Sequence, residues 1–331
     1  MERFALAAAV VLGFALTAAL CSLFVPLRRV LERREQNQQP VQPEQPRPAP
    51  LHAPLWGGLC AAAGTVAAVG VGWLAACVGQ PELLGSEGRL MTRLLTALAG
   101  SLAFGAVGLA EDLARMRSPA ALGLRRDVRL LLEALAAAFV LLLLRAAGCL
   151  PRGLGVPGAG YVLLGSAVPF LWAVLMVALA ECARIAERDE GTVCGAAFVA
   201  MLALMMAEAG LGVPGLAVLP AALAGALVAL GLWAFPPARL GVGCCGSLLA
   251  AGAIGCIPLS LDMTSLTVPL ALPFWAAGGL LAAQLLGAKR TGKPLRCWVK
   301  KHKMSPETVF LCSFALSAVG YVLALALLRW C

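Results

Sequence analysis

Charge is scarce in this sequence. Asp, Glu, Lys and Arg together make up 13% of the 331 residues, against roughly a quarter in soluble domains. With 61% hydrophobic residues, a soluble chain of this length could not hide its apolar surface in one core. A soluble enzyme or binding domain is excluded. Histidine is nearly absent, with two residues, and the twelve cysteines form no CxxC pair and no Cys/His cluster. A structural zinc site is excluded on that ground. Most cysteines, among them Cys60, Cys77, Cys194 and Cys256, lie inside apolar runs and behave there as small hydrophobes. No clean small-residue cleavage site follows the apolar run Phe4 to Val25, which is also too long for a signal peptide and reads as a retained first helix. No repeat of solenoid period is present. The net charge of +9 comes from basic residues spread over separate short loops, so it is no nucleic-acid footprint.

What is present is a series of long apolar segments, at about 4–26, 54–79, 90–109, 129–148, 160–180, 192–210, 214–235, 246–261, 267–287 and 308–329. A helix of about 20 residues crosses about 30 Å of hydrocarbon. The expected fold is all-α, a polytopic integral membrane protein of about ten transmembrane helices. Alternating sides assigns twenty of the 26 Lys and Arg residues to one set of loops, at 27–53, 110–128, 181–191, 236–245 and 288–307, with Arg129 at a helix entrance. Only Arg3, Arg89, Arg93, Arg145, Arg152 and Arg329 fall on the other side. The positive-inside bias then puts the basic loops in the cytoplasm and both termini outside it. The chain divides into a first helix (1–27), a Gln/Pro-rich linker (28–50) and a membrane domain (51–331). The run Gln36 to Pro50 should stay extended and solvated.

The basic loops also carry the acids. Glu111 and Asp112 close the third span, ahead of Arg115 and Arg117. Glu181, Glu187, Asp189 and Glu190 follow the fifth, among Arg184 and Arg188. Adjacent carboxylates and cations beside a Gly-rich turn suit a divalent metal and a phosphate-bearing ligand, because carboxylate oxygens select Mg²⁺ and Arg or Lys hold phosphates. The same residues would also serve short solvated loops that set topology. Glu133, Arg145 and Glu208 lie near span ends, where snorkelling to the interface is cheap. Met205, Met206 and the Trp residues read as packing groups and interfacial anchors.

The order and spacing of these loops resemble the polyprenyl-phosphate phospho-sugar transferases, in particular the phospho-N-acetylmuramoyl-pentapeptide transferase family, from about residue 51 to the end of the chain. His52-Ala-Pro-Leu-Trp-Gly-Gly58 is similar to the family's Thr-Pro-x-Met-Gly-Gly, with Pro54, Gly57 and Gly58 matching. Gly108-Leu-Ala-Glu-Asp-Leu-Ala-Arg115 resembles Asp-Asp-x-x-Lys, with Glu111 at the first Asp and Arg115 at the Lys. Leu122, Gly123, Leu124 and Arg129 match the family's Leu-Gly-Leu and following Lys. Glu181 to Gly191 aligns on Asn-Ala-x-Asn-Leu-x-Asp-Gly-Leu-Asp-Gly, with Glu181 and Arg184 at the Asn positions and Glu187 and Glu190 at the Asp positions. Pro237 to Ser247 resembles Pro-Ala-x-x-Phe-Met-Gly-Asp-x-Gly-Ser, with Cys244 at the Asp. Pro294-Leu295 and Met304 to Val309 flank the place of three His, held here by Arg296, Cys297 and Trp298.

The resemblance implies an integral protein of a bacterial cytoplasmic membrane, in cell-wall or surface-glycan synthesis, with undecaprenyl phosphate and a UDP-sugar as partners, Mg²⁺ as cofactor and a homodimer as the assembly. It assigns Glu111, Asp112, Arg115 and Glu187 to catalysis. Gly57, Gly58, Arg129, Glu181, Arg184, Glu190, Arg296 and Trp298 fall to substrate binding, and Asp112 and Glu187 to the metal. Among the family's acids only Asp112 is unchanged. Glu at 111, 187 and 190 extends each carboxylate by one methylene, and Cys244 offers a soft thiol, a poor Mg²⁺ ligand. Two outcomes stay open: an active transferase with an altered site, or a lipid-binding, regulatory or scaffold relative without turnover.

Overall fold

A computed structural model describes residues 2–38, 56–79, 89–117, 123–151, 153–156, 160–163, 165, 167–187, 191–212, 215–235, 239–286 and 306–330. Each apolar segment of the sequence becomes a helix. In chain order these are α1 (Glu2–Gln38), α2 (Gly57–Gly79), α3 (Arg89–Arg117), α4 (Arg126–Ala146), α5 (Ala167–Ala186), α6 (Thr192–Gly210), α7 (Val218–Ala234), α8 (Gly243–Ser260), α9 (Leu272–Leu286) and α10 (Pro306–Trp330). Ala and Leu fill them, which are strong helix formers. Seven, namely α1, α2, α3, α5, α6, α8 and α10, are long and apolar enough to cross a bilayer. Of the remaining three, α7 and α9 are apolar but shorter, with 17 and 15 residues, and α4 carries Arg126, Asp127, Arg129, Glu133 and Arg145. The chain is therefore an all-helical polytopic membrane protein. Its outer faces expose Phe4, Leu23, Leu74, Leu142, Phe170, Leu232 and Val322, side chains that only a lipid environment satisfies.

Helix α8 is the axis of the bundle. All of its residues are buried, and α2, α3, α5 and α6 pack around it. Its sequence is mostly Gly, Ala, Cys and Ser, and small residues let helix backbones approach where lipid gives no hydrophobic push. A Cβ on Gly252 would meet the Ser101 backbone of α3 at 3.1 Å. The Trp172 indole of α5 donates to Gly255 O at 3.3 Å, tying those two helices together. On the opposite flank α1 lies along α2 and α7, with Gly13 against Ala222 O and Gly225 against Val10 O, both too close for a side chain.

Three expectations are corrected. The fifth span was expected to begin at 160, yet Gly160–Leu163 is the second strand (β2) of an antiparallel hairpin with Gly153–Val156 (β1), and α5 starts only at Ala167. Glycines at 153, 155, 160 and 165 and Pro157 make that stretch a poor helix. The charged ends of the third and fifth spans were expected in loops, yet α3 runs on to Arg117 and α5 to Ala186. Their charges find partners on the same helix and on neighbouring ones, as described below, so the backbone has no reason to unwind. Finally, Arg145 is exposed as snorkelling requires, but Glu133 and Glu208 are buried inside the bundle. The helix α1 also continues to Gln38, and residues 39–50 lie outside the described set.

Candidate functional site

Four helix ends meet at one end of the bundle: the last turns of α3 and α5 and the first turns of α4 and α8. The meeting depends first on glycine. Gly108 on α3 faces the start of α8 so closely that a Cβ would stand 2.2 Å from Cys244 O. Gly58 on α2 is as tight, with a Cβ 2.1 Å from Gly246 N. The Gly57 N–H donates to Gly241 O at 3.2 Å. Gly243 turns the chain into α8 at a φ of 71°, a conformation that L side chains rarely take. Gly57 and Gly58, expected at the substrate, are buried against this turn and let it approach.

One helical turn beyond Gly108, the Asp112 carboxylate meets the buried N-terminus of α8. The Cys244 N–H donates to Oδ1 at 3.0 Å and the Cys245 N–H to Oδ2 at 2.9 Å. Helix N-termini leave such amides without intrahelical acceptors and favour negative charge, so a buried carboxylate finds there the donors that it needs. Asp112 is 1% exposed.

The remaining charges form a chain across three helices. The Arg115 guanidinium donates through Nη2 to Glu111 Oε1 at 2.6 Å, the favourable i,i+4 order on a helix. Its Nη1 lies 3.9 Å from Asp112 Oδ1 and 3.7 Å from Glu187 Oε2. Gly123, at a φ of 69°, packs on the Arg115 stem, and a Cβ there would meet Cγ at 3.1 Å. On α4, Arg129 donates through Nε to Glu181 Oε1 at 2.7 Å, while its Nη1 is 3.8 Å from Glu111 Oε1. The second oxygen of Glu181 accepts from Arg184 Nη2 at 2.5 Å. The Cys244 thiol points to Glu187 Oε2 at 3.9 Å. Thr192 holds the turn that carries Glu187 by donating to Ala186 O at 3.3 Å.

The structure thus brings together Glu111, Asp112, Arg115, Arg129, Glu181, Arg184, Glu187 and Cys244, with Gly57 and Gly58 beneath them. Glu190, Arg296 and Trp298 lie outside the described residues. Two contributors carry no side-chain signature of their role: the main-chain amides of Cys244 and Cys245. Glu133, read from sequence as interfacial, instead sits buried one turn along α4 from Arg129, and neither of its oxygens has a hydrogen-bond partner among the described residues. Its i+4 spacing from Arg129 was the available signal. Glu111 Oε2 and Arg184 Nε are likewise buried without a partner, so the cluster keeps an unused acceptor and an unused donor.

A helical bundle with lipid-facing flanks and a charged patch built on converging helix ends defines an integral membrane protein with a polar site. The sequence model of Glycosyl transferase family 4 matches residues 94–262, which hold most of α3, all of α4 to α8 and every charged side chain of the patch. The match covers just over half of the 331 residues, and the chain belongs to that family. It is also similar to a phospho-N-acetylmuramoyl-pentapeptide-transferase of Synechococcus sp. (strain RCC307), 30% identical over 212 residues, which are 63% of this chain and 55% of that protein. A second relative of the same name, from Geobacillus kaustophilus (strain HTA426), is 25% identical over 296 residues, 88% of this chain and 86% of the relative.

The fold family implies Mg²⁺, and the residues at this place do not fit it. Mg²⁺ takes near-octahedral oxygens at about 2.0–2.1 Å. Both Asp112 oxygens already accept amide N–H groups, Glu187 faces Arg115, and the position of a further family acid carries the Cys244 thiol. Among the described residues no group of three His, Cys, Asp or Glu side chains is placed to hold a metal ion.

Proposed function

We propose that the protein is a phospho-sugar transferase of a bacterial cytoplasmic membrane, acting on a polyprenyl phosphate and a UDP-sugar at the patch of helix ends. In the reaction a phosphate oxygen of the lipid attacks the β-phosphorus of the nucleotide sugar. A new P–O bond forms, the bond bridging the α- and β-phosphates breaks, and UMP leaves, so that the sugar phosphate stays on the lipid as a diphosphate. The names of the relatives support phospho-N-acetylmuramoyl-pentapeptide as the transferred group. The Lys and Arg distribution supports a cytoplasmic patch, where nucleotide sugars are found, with both termini on the other side.

The observation that carries this reading is the convergence itself. Four of the family-like motifs, far apart in sequence, end on α3, α4, α5 and α8, where charged side chains and the Cys244 and Cys245 amides touch. Phosphoryl transfer asks a protein mainly for positioning and charge neutralisation. Arg115, Arg129 and Arg184 supply positive charge, and a guanidinium has five N–H donors, of which the pairs with Glu111 and Glu181 use only some. Arg184 keeps a buried Nε without a partner among the described residues, a donor that a phosphate oxygen could take. Asp112 positions the start of α8 and so fixes how close that turn lies to α3.

The test is transfer of radiolabel from UDP-N-acetylmuramoyl-pentapeptide to undecaprenyl phosphate by the detergent-purified full chain, with lipid extraction as readout. Labelled lipid, lost in Arg129→Met, is the expected result. Undecaprenyl phosphate that binds but never accepts label, whatever the cation supplied, would establish a lipid-binding relative without turnover.

A further inference from the structure

We propose that the Arg115 guanidinium is a built-in cation that stands between Asp112 and Glu187 where a divalent metal would otherwise sit, so that the site handles phosphate without a bound Mg²⁺. The phosphate in this statement rests on the function proposed above; the poor fit to a metal rests on the geometry of the described residues.

Three features converge on it. The guanidinium spans three carboxylates at once, with Nη2 on Glu111 at 2.6 Å and Nη1 facing Asp112 at 3.9 Å and Glu187 at 3.7 Å. A planar fork does this; the point charge of a lysine cannot reach separate acids in the same way. The fork is also fixed in place, because the left-handed turn at Gly123 lies on its stem, with Arg115 Nε 3.3 Å from where a Cβ would be. Third, the donors around the guanidinium are a poor set for a hard dication. Each Asp112 oxygen takes an amide N–H from the start of α8, and Cys244 presents sulfur where a hard cation needs oxygen.

The three features also depend on one another chemically. Replacing a carboxylate by a thiol at 244 removes one hard ligand and one negative charge, which weakens the hold on a dication. A guanidinium of fixed single charge then suffices to keep Asp112 and Glu187 from repelling each other. Phosphate would meet an arginine edge, which binds such oxygens through paired N–H donors.

The experiment uses the full chain in detergent, titrated with Mn²⁺ as a spectroscopic stand-in for Mg²⁺, with free Mn²⁺ read by electron paramagnetic resonance. Thermal unfolding is followed in parallel with EDTA or MgCl₂. The wild type is expected to show no Mn²⁺ binding that depends on Asp112 and the same midpoint in both buffers. Binding that survives Asp112→Asn lies elsewhere and agrees with the proposal, whereas binding that Asp112→Asn abolishes overturns it. The double variant Arg115→Lys with Cys244→Asp frees the position and returns a carboxylate, and should bind Mn²⁺ at least roughly tenfold more tightly than wild type. A folded double variant that gains nothing overturns the exchange of guanidinium for metal; should it not fold, the wild-type titration still decides. A complete lack of transferase product would remove the proposed activity while leaving the Mn²⁺ result intact.

Discussion

Gly108 offers the sharpest test of how the patch is built. Replaced by alanine, its new methyl carbon would stand 2.2 Å from Cys244 O, 2.5 Å from Cys244 C and 2.7 Å from Cys245 N. These are backbone atoms, so no side chain can swing aside. To restore ordinary contact at 3.4 Å the two helices must part by about 1.2 Å at this point. The amides of the same two residues donate to Asp112 at 3.0 and 2.9 Å. A displacement of that size takes both bonds beyond hydrogen-bonding range. Bonds to a charged acceptor contribute about 1.5–3 kcal/mol each, and alanine returns about 1 kcal/mol of helix propensity. Gly108→Ala should therefore lose about 2–5 kcal/mol of stability, measured by denaturant unfolding in detergent. Gly70→Ala on α2 is the control, because nothing lies within 4 Å of a Cβ there, and it should be neutral or gain up to about 1 kcal/mol. Equal stability of the two variants would refute the close approach of α3 to α8.

Other consequences are open to measurement. Arg129→Met strips two carboxylates, Glu111 and Glu181, of a buried partner; a loss of about 3 kcal/mol is expected. A double-mutant cycle with Glu181→Leu should return a coupling of about 1–2 kcal/mol, and additivity would show the pair to be idle. Glu133→Gln removes an acid whose two buried oxygens have no partner among the described residues, so its thermal midpoint should equal or exceed that of wild type. A fall of more than about 1 kcal/mol would mean that the carboxylate is ionised and paired. Alkaline phosphatase fused to the C-terminus should be active in a bacterial host and a green fluorescent fusion dark, if the terminus lies outside the cytoplasm; the reverse pattern contradicts the assigned orientation.

The helices were legible because apolar runs of spanning length leave little choice of structure. The order of the polar motifs likewise pointed to one shared patch, and Asp112, Glu187 and Cys244 do lie together. Helix ends were read too early, at 109 and 180, because charge was taken as a mark of solvent. Glu111 with Arg115, and Glu181 with Arg129, satisfy one another inside the bundle; the first pair shows as i,i+4 spacing on one helix, whereas the second crosses helices and leaves no trace in a single sequence. The amide donors at the start of α8 were invisible for a related reason: main-chain groups have no residue signature. The role of Gly108 was equally hidden, since any glycine in a membrane helix can be mere composition. The hairpin at 153–163 was within reach, given its five Gly and Pro breakers, but the apolar residues around it masked it.

The amides that grip Asp112 belong to a helix wholly enclosed by its neighbours. No acyl chain presses on it, so a change in bilayer thickness or fluidity can alter the grip only by first shifting the surrounding ring of α2, α3, α5 and α6. Asp112 is thereby shielded from the bilayer, even where Arg115 and Glu181 at the rim of the patch stay partly exposed.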